Sequence, residues 1–169
     1  MCALKNSILP PTKISFIIVF FLLSIWLWAE KLTMTINYLG LNVTDVIMED
    51  DGQVLTVTAK STRLAEIAAV MDNQYISEYT SDYLPVTRYK KILQNKYNED
   101  RIIEYDRKQL MATRTSKLAT DPDTTYPIYA ESRDFFTALF YIRYHLETPQ
   151  KLYLDANGLI WSAEYRIVE

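Results

Sequence analysis

Residues 132–146 read SRDFFTALFYIRYHL, and their apolar side chains recur at the spacing of one helical face. The apolar stripe consists of Phe135, Leu139, Ile142 and Leu146, widened by Phe136 and Phe140. Ser132 is a residue type that caps helix N-termini, and Pro149 ends the stretch. We therefore predict an amphipathic helix from Arg133 to Leu146, whose stripe needs the apolar face of a sheet to cover it.

The rest of the chain after residue 30 alternates polar and apolar residues with the period of a half-buried strand. The first such run extends from Leu32 to Tyr38, and Gly40 then indicates a bulge or bend. Asp51-Gly52 indicates a tight hairpin. Further strands are predicted at 43–48, 54–58, 74–80, 86–97, 101–106, 108–115, 151–155 and 159–168.

Three connections interrupt these strands. Leu64, Ile67 and their neighbours fall at helical spacing, which predicts a short helix at 62–71. Residues 98–100 read Asn-Glu-Asp and are the expected break between two strands, and residues 116–130 are expected to form a long loop. Because strands joined by short turns pair as neighbours, we predict a mainly β (α+β) fold. Its core is a curved antiparallel sheet, or half-barrel, with one packed amphipathic helix.

The N-terminal region predicts export. Residues 14–29 read ISFIIVFFLLSIWLWA, without a charge, and Lys5 and Lys13 precede them. As a helix this run spans about 24 Å, less than the roughly 30 Å hydrocarbon core of a membrane. Two interpretations remain open, a signal peptide cleaved after Ala29 and a short membrane anchor with tryptophans at the interface. Both place the rest of the chain in the periplasm or elsewhere outside the cytoplasm, and the second anchors it to the inner membrane.

We therefore divide the chain into residues 1–29, the signal peptide or anchor, and residues 30–169, a single exported β-rich domain. The second part holds all 21 acidic residues and 16 of the 18 basic ones, so it carries a net charge of −5. This balance disfavours nucleic-acid binding. It contains no cysteine, so its core has to hold it without disulfides. The sequence stops at Glu169 before any turn follows the last predicted strand, and we expect either an incomplete sheet or a short gene product.

Several short motifs resemble one known family. They are Ile36-Asn37-Tyr38-Leu39-Gly40-Leu41, Asp72 to Tyr79, Leu84-Pro85-Val86 with Arg88-Tyr89-Lys90, Glu104-Tyr105-Asp106, and Arg133 to Arg143. In this order they resemble the bacterial exported domain-of-unknown-function family 3108. The resemblance covers most of residues 32–169 and implies an exported β-rich domain. It implies no reaction, cofactor or catalytic residue.

Few residues suggest a reactive centre. His145 is the only histidine, and it is better explained as a helix C-terminal residue than as a general base oriented by Asp155 or Glu147. Asp121 and Asp123, with Glu131, could offer oxygen ligands to calcium, although a solvated turn explains them better. Residues 49–51, Glu-Asp-Asp, are most simply a hairpin tip.

Two charged residues of the helix have different expected roles. Asp134 favours the helix N-terminus electrostatically. Arg143 lies beside the apolar stripe, where it could pin the helix to a strand carboxylate such as Glu104 or Asp106. The alternative is a pocket mouth at which Arg143 holds an anionic head group.

Thirteen tyrosines also suggest a ligand site, because aromatic walls suit sugars or acyl chains. Tyr75 and Tyr79 share one strand face, and Tyr89 and Tyr97 are expected to share a face of the next strand. The alternative is the ordinary preference of tyrosine for strands. The candidate ligand-binding residues are Tyr75, Tyr79, Tyr89, Tyr141 and Arg143.

The sequence thus favours a non-enzymatic cell-envelope domain, with no cofactor or metal. Its expected partners are a lipid or other amphiphile held in the concavity under the helix, an envelope protein, and the membrane through residues 14–29 if they are retained. An alternative is a scaffolding protein that acts through an exposed sheet edge. A third hypothesis is a hydrolase of envelope polymers that uses Asp121 and Asp123.

Overall fold

The computed structural model describes residues 29–118, 121–146 and 151–165. The predicted signal peptide or anchor lies outside these ranges, except for its last residue, and so does the end of the last predicted strand. Within the described ranges, no helix combines the length and the apolar character needed to cross a membrane.

Eight strands form the main sheet, in which they lie side by side in chain order. They are β1 (Glu30–Tyr38), β2 (Leu41–Asp50), β3 (Val54–Ser61), β4 (Asp72–Tyr79), β5 (Pro85–Gln94), β6 (Tyr97–Asp106), β7 (Met111–Ser116) and β8 (Thr124–Pro127). Every neighbouring pair is antiparallel, which confirms the predicted antiparallel sheet. β1 and β8 are its edges, so the sheet does not close on itself.

A second, three-stranded sheet covers part of the first, and the sequence did not predict it. Its strands are β9 (Ser132–Arg133), β10 (Lys151–Ala156) and β11 (Leu159–Glu164). The one α-helix of the described ranges, α1 (Phe135–Tyr144), lies in sequence between β9 and β10, which pair in parallel. The predicted hairpin between β10 and β11 is confirmed and turns at Asn157 and Gly158.

Backbone preferences at two turns set the register of the strands. Leu39 and Gly40 have φ angles of 50° and 81°, so the bend expected at Gly40 is a two-residue hairpin between β1 and β2. Asn95 has a φ angle of 51°, a left-handed conformation that asparagine tolerates, and the β5–β6 hairpin turns there. The predicted break at 98–100 is wrong, because these residues lie inside β6.

The connection between β3 and β4 differs from the helix predicted at 62–71. Only Ala65–Ile67 are helical, in a single 3-10 turn. Leu64 and Ile67 are 72% and 87% exposed, so their side chains do not pack against the sheet. A short helix needs such packing to be stable. The loop predicted at 116–130 also needs correction, since it contains strand β8.

Strand β1 is present as predicted, but most of its apolar side chains are exposed. Leu32 packs against the core that contains Phe140. Met34, Ile36 and Tyr38 are exposed, because no element of the described chain covers them. The half-buried character predicted for this strand therefore applies only to its first residues.

Every second residue of the inner strands points to a buried face, which divides into two apolar clusters. The cluster under α1 consists of Val46, Met48, Leu55, Val57, Tyr79 and Phe140. The cluster under the β10–β11 hairpin consists of Ile103, Tyr105, Ala112, Tyr126 and Ile128. Burial of each large apolar side chain stabilises the fold by about 1.5–3 kcal/mol.

Helix α1 is confirmed, but its cap and its buried face differ from the prediction. Asp134, not Ser132, is the N-cap residue. The side chains of Thr137, Ala138 and Phe140 are buried, whereas Phe135 and Leu139 of the predicted stripe are 56% and 42% exposed. Because α1 is apolar on nearly all sides, periodicity alone does not select the face that packs.

Two substitutions on α1 test this orientation. Phe140→Ala is expected to lower the free energy of unfolding by about 3–5 kcal/mol, because it leaves a cavity in a filled core. Leu139→Ala is expected to lower it by less, about 1 kcal/mol, since that residue is 42% exposed and lies outside the buried cluster. Chemical denaturation of the two variants measures both values, and equal losses would contradict the observed orientation.

Candidate functional site

A cleft of about 250 Å³ opens between the main sheet and the N-terminus of α1. Strand β4 contributes Tyr75 and strand β5 contributes Arg88 and Lys90, while residues 134–136 and 155–157 close the other sides. The two strand segments belong to the main sheet and the remaining segments to the helix and the second sheet. The cleft therefore exists only after the two sheets have packed together.

One wall of the cleft is aromatic. The rings of Tyr75 and Phe136 are 4.9 Å apart between centroids, and Phe135 meets Phe136 edge-on at 5.3 Å. Tyr75 is half-buried, so burial raises the pKa of its hydroxyl. Phe135 stays exposed at the rim, where it offers apolar surface to a molecule that enters.

Strand β5, next to the strand of Tyr75, contributes Arg88, a guanidinium that is only 6% exposed. One terminal nitrogen donates to the backbone oxygen of Asp155 at 3.1 Å, and the other donates to Oδ1 of Asn157 at 2.8 Å. The Nε–H has no hydrogen-bond partner among the residues that the structure describes. Burial opposes the charge, but Tyr105, Asp134 and Asp155 favour it more strongly and raise the pKa of Arg88. The group is therefore a buried cation with a spare donor.

Asp134 lines the cleft, and both oxygens of its carboxylate accept hydrogen bonds from the protein. Its Oδ1 accepts the backbone N–H groups of Phe136 and Thr137, at 2.9 and 3.1 Å. Its Oδ2 accepts the hydroxyls of Ser77 and Thr137, both at 2.9 Å. The carboxylate therefore caps the helix and ties it to strand β4.

Asp155 is engaged in the same way. Its Oδ2 accepts the hydroxyls of Tyr105 and Tyr126, at 2.7 and 2.8 Å, and its Oδ1 accepts the N–H of Gly158 at 3.0 Å. Burial raises the pKa of both tyrosines, and Asp155 adds to the shift. The carboxylate thereby fixes the β10–β11 turn against the main sheet.

A chain of ion pairs leads away from the cleft along the buried face. Lys90 Nζ lies 2.7 Å from Glu99, and Arg101 lies 2.6 Å from the other oxygen of Glu99. Arg101 also lies 2.6 Å from Asp121, which is 3.8 Å from Arg114. Burial lowers the pKa of Lys90, although Glu99 favours the charged ammonium. The chain joins three cations to two carboxylates.

The structure does not bring the five ligand residues predicted from the sequence together. Tyr75 lines the cleft, whereas Tyr79 lies in the core, stacks on Tyr83 and donates its hydroxyl to Asp50. Tyr89 lies on the opposite face of the sheet, where the ammonium of Lys117 is 4.7 Å from its ring.

The predicted pairing of Tyr89 with Tyr97 on one face is also wrong. The β5–β6 hairpin turns between them, and Tyr97 shares the parity of buried Glu99 and Ile103 on strand β6. Tyr89 pairs with Ile102, which faces the other side.

The helical candidates have structural partners. Tyr141 lies under the guanidinium of Arg133, whose Cζ is 3.7 Å from the ring centroid. Arg143 pairs with Glu30 of strand β1 and not with Glu104 or Asp106, and Tyr144 donates to Glu30 as well. These contacts fasten the C-terminal end of α1 to the edge of the sheet.

The remaining candidate reactive residues also have local partners. Nδ1 of His145 is 2.8 Å from the backbone oxygen of Tyr141, while Glu147 lies outside the described residues. Asp123 accepts the N–H of Ser116 at 3.1 Å, and Asp121 is held by two arginines. In the described part of the chain, no three histidine, cysteine or acidic residues group as metal ligands do.

The sequence did not predict the roles of Arg88 and Lys90, although a signal was present. Both residues have the same parity in strand β5 as buried Ile92, so the alternation places two cations on the buried face. A charged residue at an inward position needs a partner, and this is a common mark of a functional or structural site.

Comparisons of the chain with family models, with curated proteins and with solved structures found no match. The resemblance to the exported family therefore stays a prediction.

The buried tyrosines predict how stability depends on pH. Burial raises the pKa of Tyr105 and Tyr126, so the folded state favours the protonated phenols. Their contribution is fully present below about pH 10, the ordinary tyrosine pKa, and is lost progressively as the pH rises above it.

Denaturation of the chain at pH 8, 10 and 11 measures this dependence. The double variant Tyr105→Phe/Tyr126→Phe is expected to lose less stability than the wild type over the same pH interval. An unchanged alkaline dependence in this variant would show that these two phenols do not carry the effect.

Proposed function

We propose that the domain starting at residue 30 is a non-enzymatic, extracytoplasmic module that binds the polar end of an amphiphilic molecule. The observation that carries this proposal is the cleft, whose lining combines aromatic side chains with the buried guanidinium of Arg88 and the ammonium of Lys90. Ligand sites commonly combine apolar walls with a few polar groups in this manner. The location outside the cytoplasm rests on the apolar run at residues 14–29.

The size of the cleft limits what it can hold. Its volume of about 250 Å³ is below the roughly 300–1,000 Å³ of sites that enclose a whole drug-sized ligand. The space under α1 is filled by Val57, Tyr79 and Phe140, among others. A carrier that encloses an acyl chain beneath the helix is thus less favoured than a module that holds one end of the molecule.

The hydrogen bonds that the acidic residues already accept favour a role of the cleft in binding over a role in catalysis. Asp134 accepts four hydrogen bonds and Asp155 accepts three. A general base needs a carboxylate oxygen that can reach the substrate. Asp121 is paired with two arginines, which argues against the hydrolase hypothesis at this position.

A substitution at the rim of the cleft tests the proposal. Ala156 is exposed and lines the cleft, so Ala156→Phe is expected to fill the entrance without disturbing either core. Binding of hexyl phosphate and hexyl glucoside to the full chain is then measured by calorimetry. The variant is expected to bind neither compound, because the ring occupies their site.

The matched control is Ala130→Phe, which adds the same ring at an exposed turn outside the cleft. This control is expected to bind like the wild type. Unchanged binding in Ala156→Phe, or no binding to the wild type, would contradict the proposal.

A second candidate function is scaffolding through the edge of the main sheet. Strand β1 is nine residues long, and β2 is its only partner among the described strands. Its side chains Met34, Ile36 and Tyr38 are exposed. Long apolar edges pair readily with other strands. A second copy of the chain could add its own β1 in antiparallel register and join two sheets through a symmetric interface.

The mass of the full chain in solution tests the scaffolding candidate. Ile36→Lys is expected to reduce the mass from dimer to monomer, since lysine on an edge strand opposes further pairing. Thr58→Lys, in the interior strand β3, is the control and is expected to remain dimeric. Light scattering gives both masses, and a monomeric wild type would exclude this candidate.

A further inference from the structure

We infer that the cleft selects amphiphiles whose polar end is an oxyanion, such as a carboxylate or a phosphate. This inference rests on the proposed function, because it specifies the ligand of the same site. Its first support is Arg88, whose terminal nitrogens donate to uncharged oxygens of residues 155 and 157. No carboxylate oxygen lies within ion-pairing distance of this guanidinium in the described part of the chain.

The spare donor of Arg88 favours an anionic ligand. A buried N–H without an acceptor is costly, and the cost falls when a ligand supplies an oxygen. The hydrogen bond is stronger when that oxygen is charged, because charge-assisted hydrogen bonds are about twice as strong as neutral ones. The guanidinium that lines the cleft is held in place by residues 155–157, and its Nε–H is closed off from solvent, so an oxyanion reaches this donor only after a small shift of the side chains around it.

Lys90 supplies a second cation to the same cleft. Its ammonium has three N–H donors, and its contact with Glu99 occupies one side of the group. Glu99 is shared with Arg101, so the ion-pair chain from Lys90 to Arg114 contains one more cation than carboxylates. Lys90 therefore shares its carboxylate with a second cation, and it is the member of the chain that lines the cleft.

The two acidic residues of the cleft favour the charge of Arg88, but they are already engaged as acceptors. Both oxygens of Asp134 and both oxygens of Asp155 already accept hydrogen bonds from the protein. Asp134 also faces the N-terminus of α1, whose dipole compensates negative charge. A cationic ligand would have to displace these contacts, whereas an anionic ligand uses donors that are present.

The aromatic wall specifies the rest of the ligand. Phe135 and Phe136 lie next to Asp134, and Phe135 extends from the cleft into solvent. The carbon chain or ring that bears the oxyanion would pack on these rings. The ligand class is therefore an alkyl or aryl carboxylate or phosphate.

Four compounds with the same hexyl chain test the selection by calorimetry on the full chain. They are hexyl phosphate, hexanoate, hexyl glucoside and hexyltrimethylammonium. At least one of the two anions is expected to bind tenfold or more tightly than the other two compounds, about the gain of one charge-assisted hydrogen bond. The comparison of the two anions distinguishes phosphate from carboxylate recognition.

Equal affinities for all four compounds would overturn the inference but retain the proposed function. A preference for hexyl glucoside or hexyltrimethylammonium would do the same. No binding of any compound would overturn both.

Substitutions in strand β5 test which cation acts. Lys90→Met is expected to weaken binding of the preferred anion about tenfold and to leave hexyl glucoside unaffected. Lys91→Met is the matched control, because the neighbouring lysine points to the other face of the sheet. Lys90→Arg is expected to restore the binding.

Thermal unfolding verifies that Lys90→Met stays folded, with Glu99 still paired to Arg101. If Lys90→Met is unfolded, Lys90→Gln and Arg88→Lys replace it, and both are expected to weaken anion binding. Equal effects of the substitutions at positions 90 and 91 would overturn the inference.

Discussion

The contact on which the structure depends most is the one between Asp134 and Ser77. A single buried carboxylate caps α1 and accepts the hydroxyl of a residue in the middle of the main sheet. This fixes where the helix begins and which of its sides meets the sheet. A buried carboxylate is tolerated only when its oxygens are satisfied, and four neutral donors satisfy this one. The helix, the cleft and the core under α1 all take their positions from this contact.

The second half of the molecule is organised around polar contacts as well. Asp155 receives two tyrosine hydroxyls from the main sheet, while Arg88 reaches across to the turn at residues 155–157. These bonds hold the β10–β11 hairpin over the cluster that contains Ile103. The small sheet thus depends on buried polar groups that an apolar interface would not need. The same groups give the cleft its charge.

The fold followed from local patterns to a large extent, and the exceptions have a common origin. Most strands and the final hairpin were recognisable from alternation and turn residues. The prediction of a helix at 62–71 was wrong because Leu64 and Ile67 match helical spacing but do not pack against any apolar surface of the protein. The predicted packing face of α1 was wrong because the sequence of a helix that is apolar on nearly all sides does not indicate which side packs. In both cases the sequence pattern did not show which part of the protein packs against the segment.

Local patterns in the chain were sufficient to predict the alternation of the strands, most of their turns and helix α1. These features depend on residues a few positions apart, such as Asn157 and Gly158 in the last hairpin. The candidate site, in contrast, depends on contacts between distant parts of the chain. Arg88 meets its partners 67 and 69 positions further along the chain, and Ser77 meets Asp134 at a separation of 57. Whether a charged side chain is buried, paired or left with a spare donor depends on such distant partners, and periodicity carries no information about them.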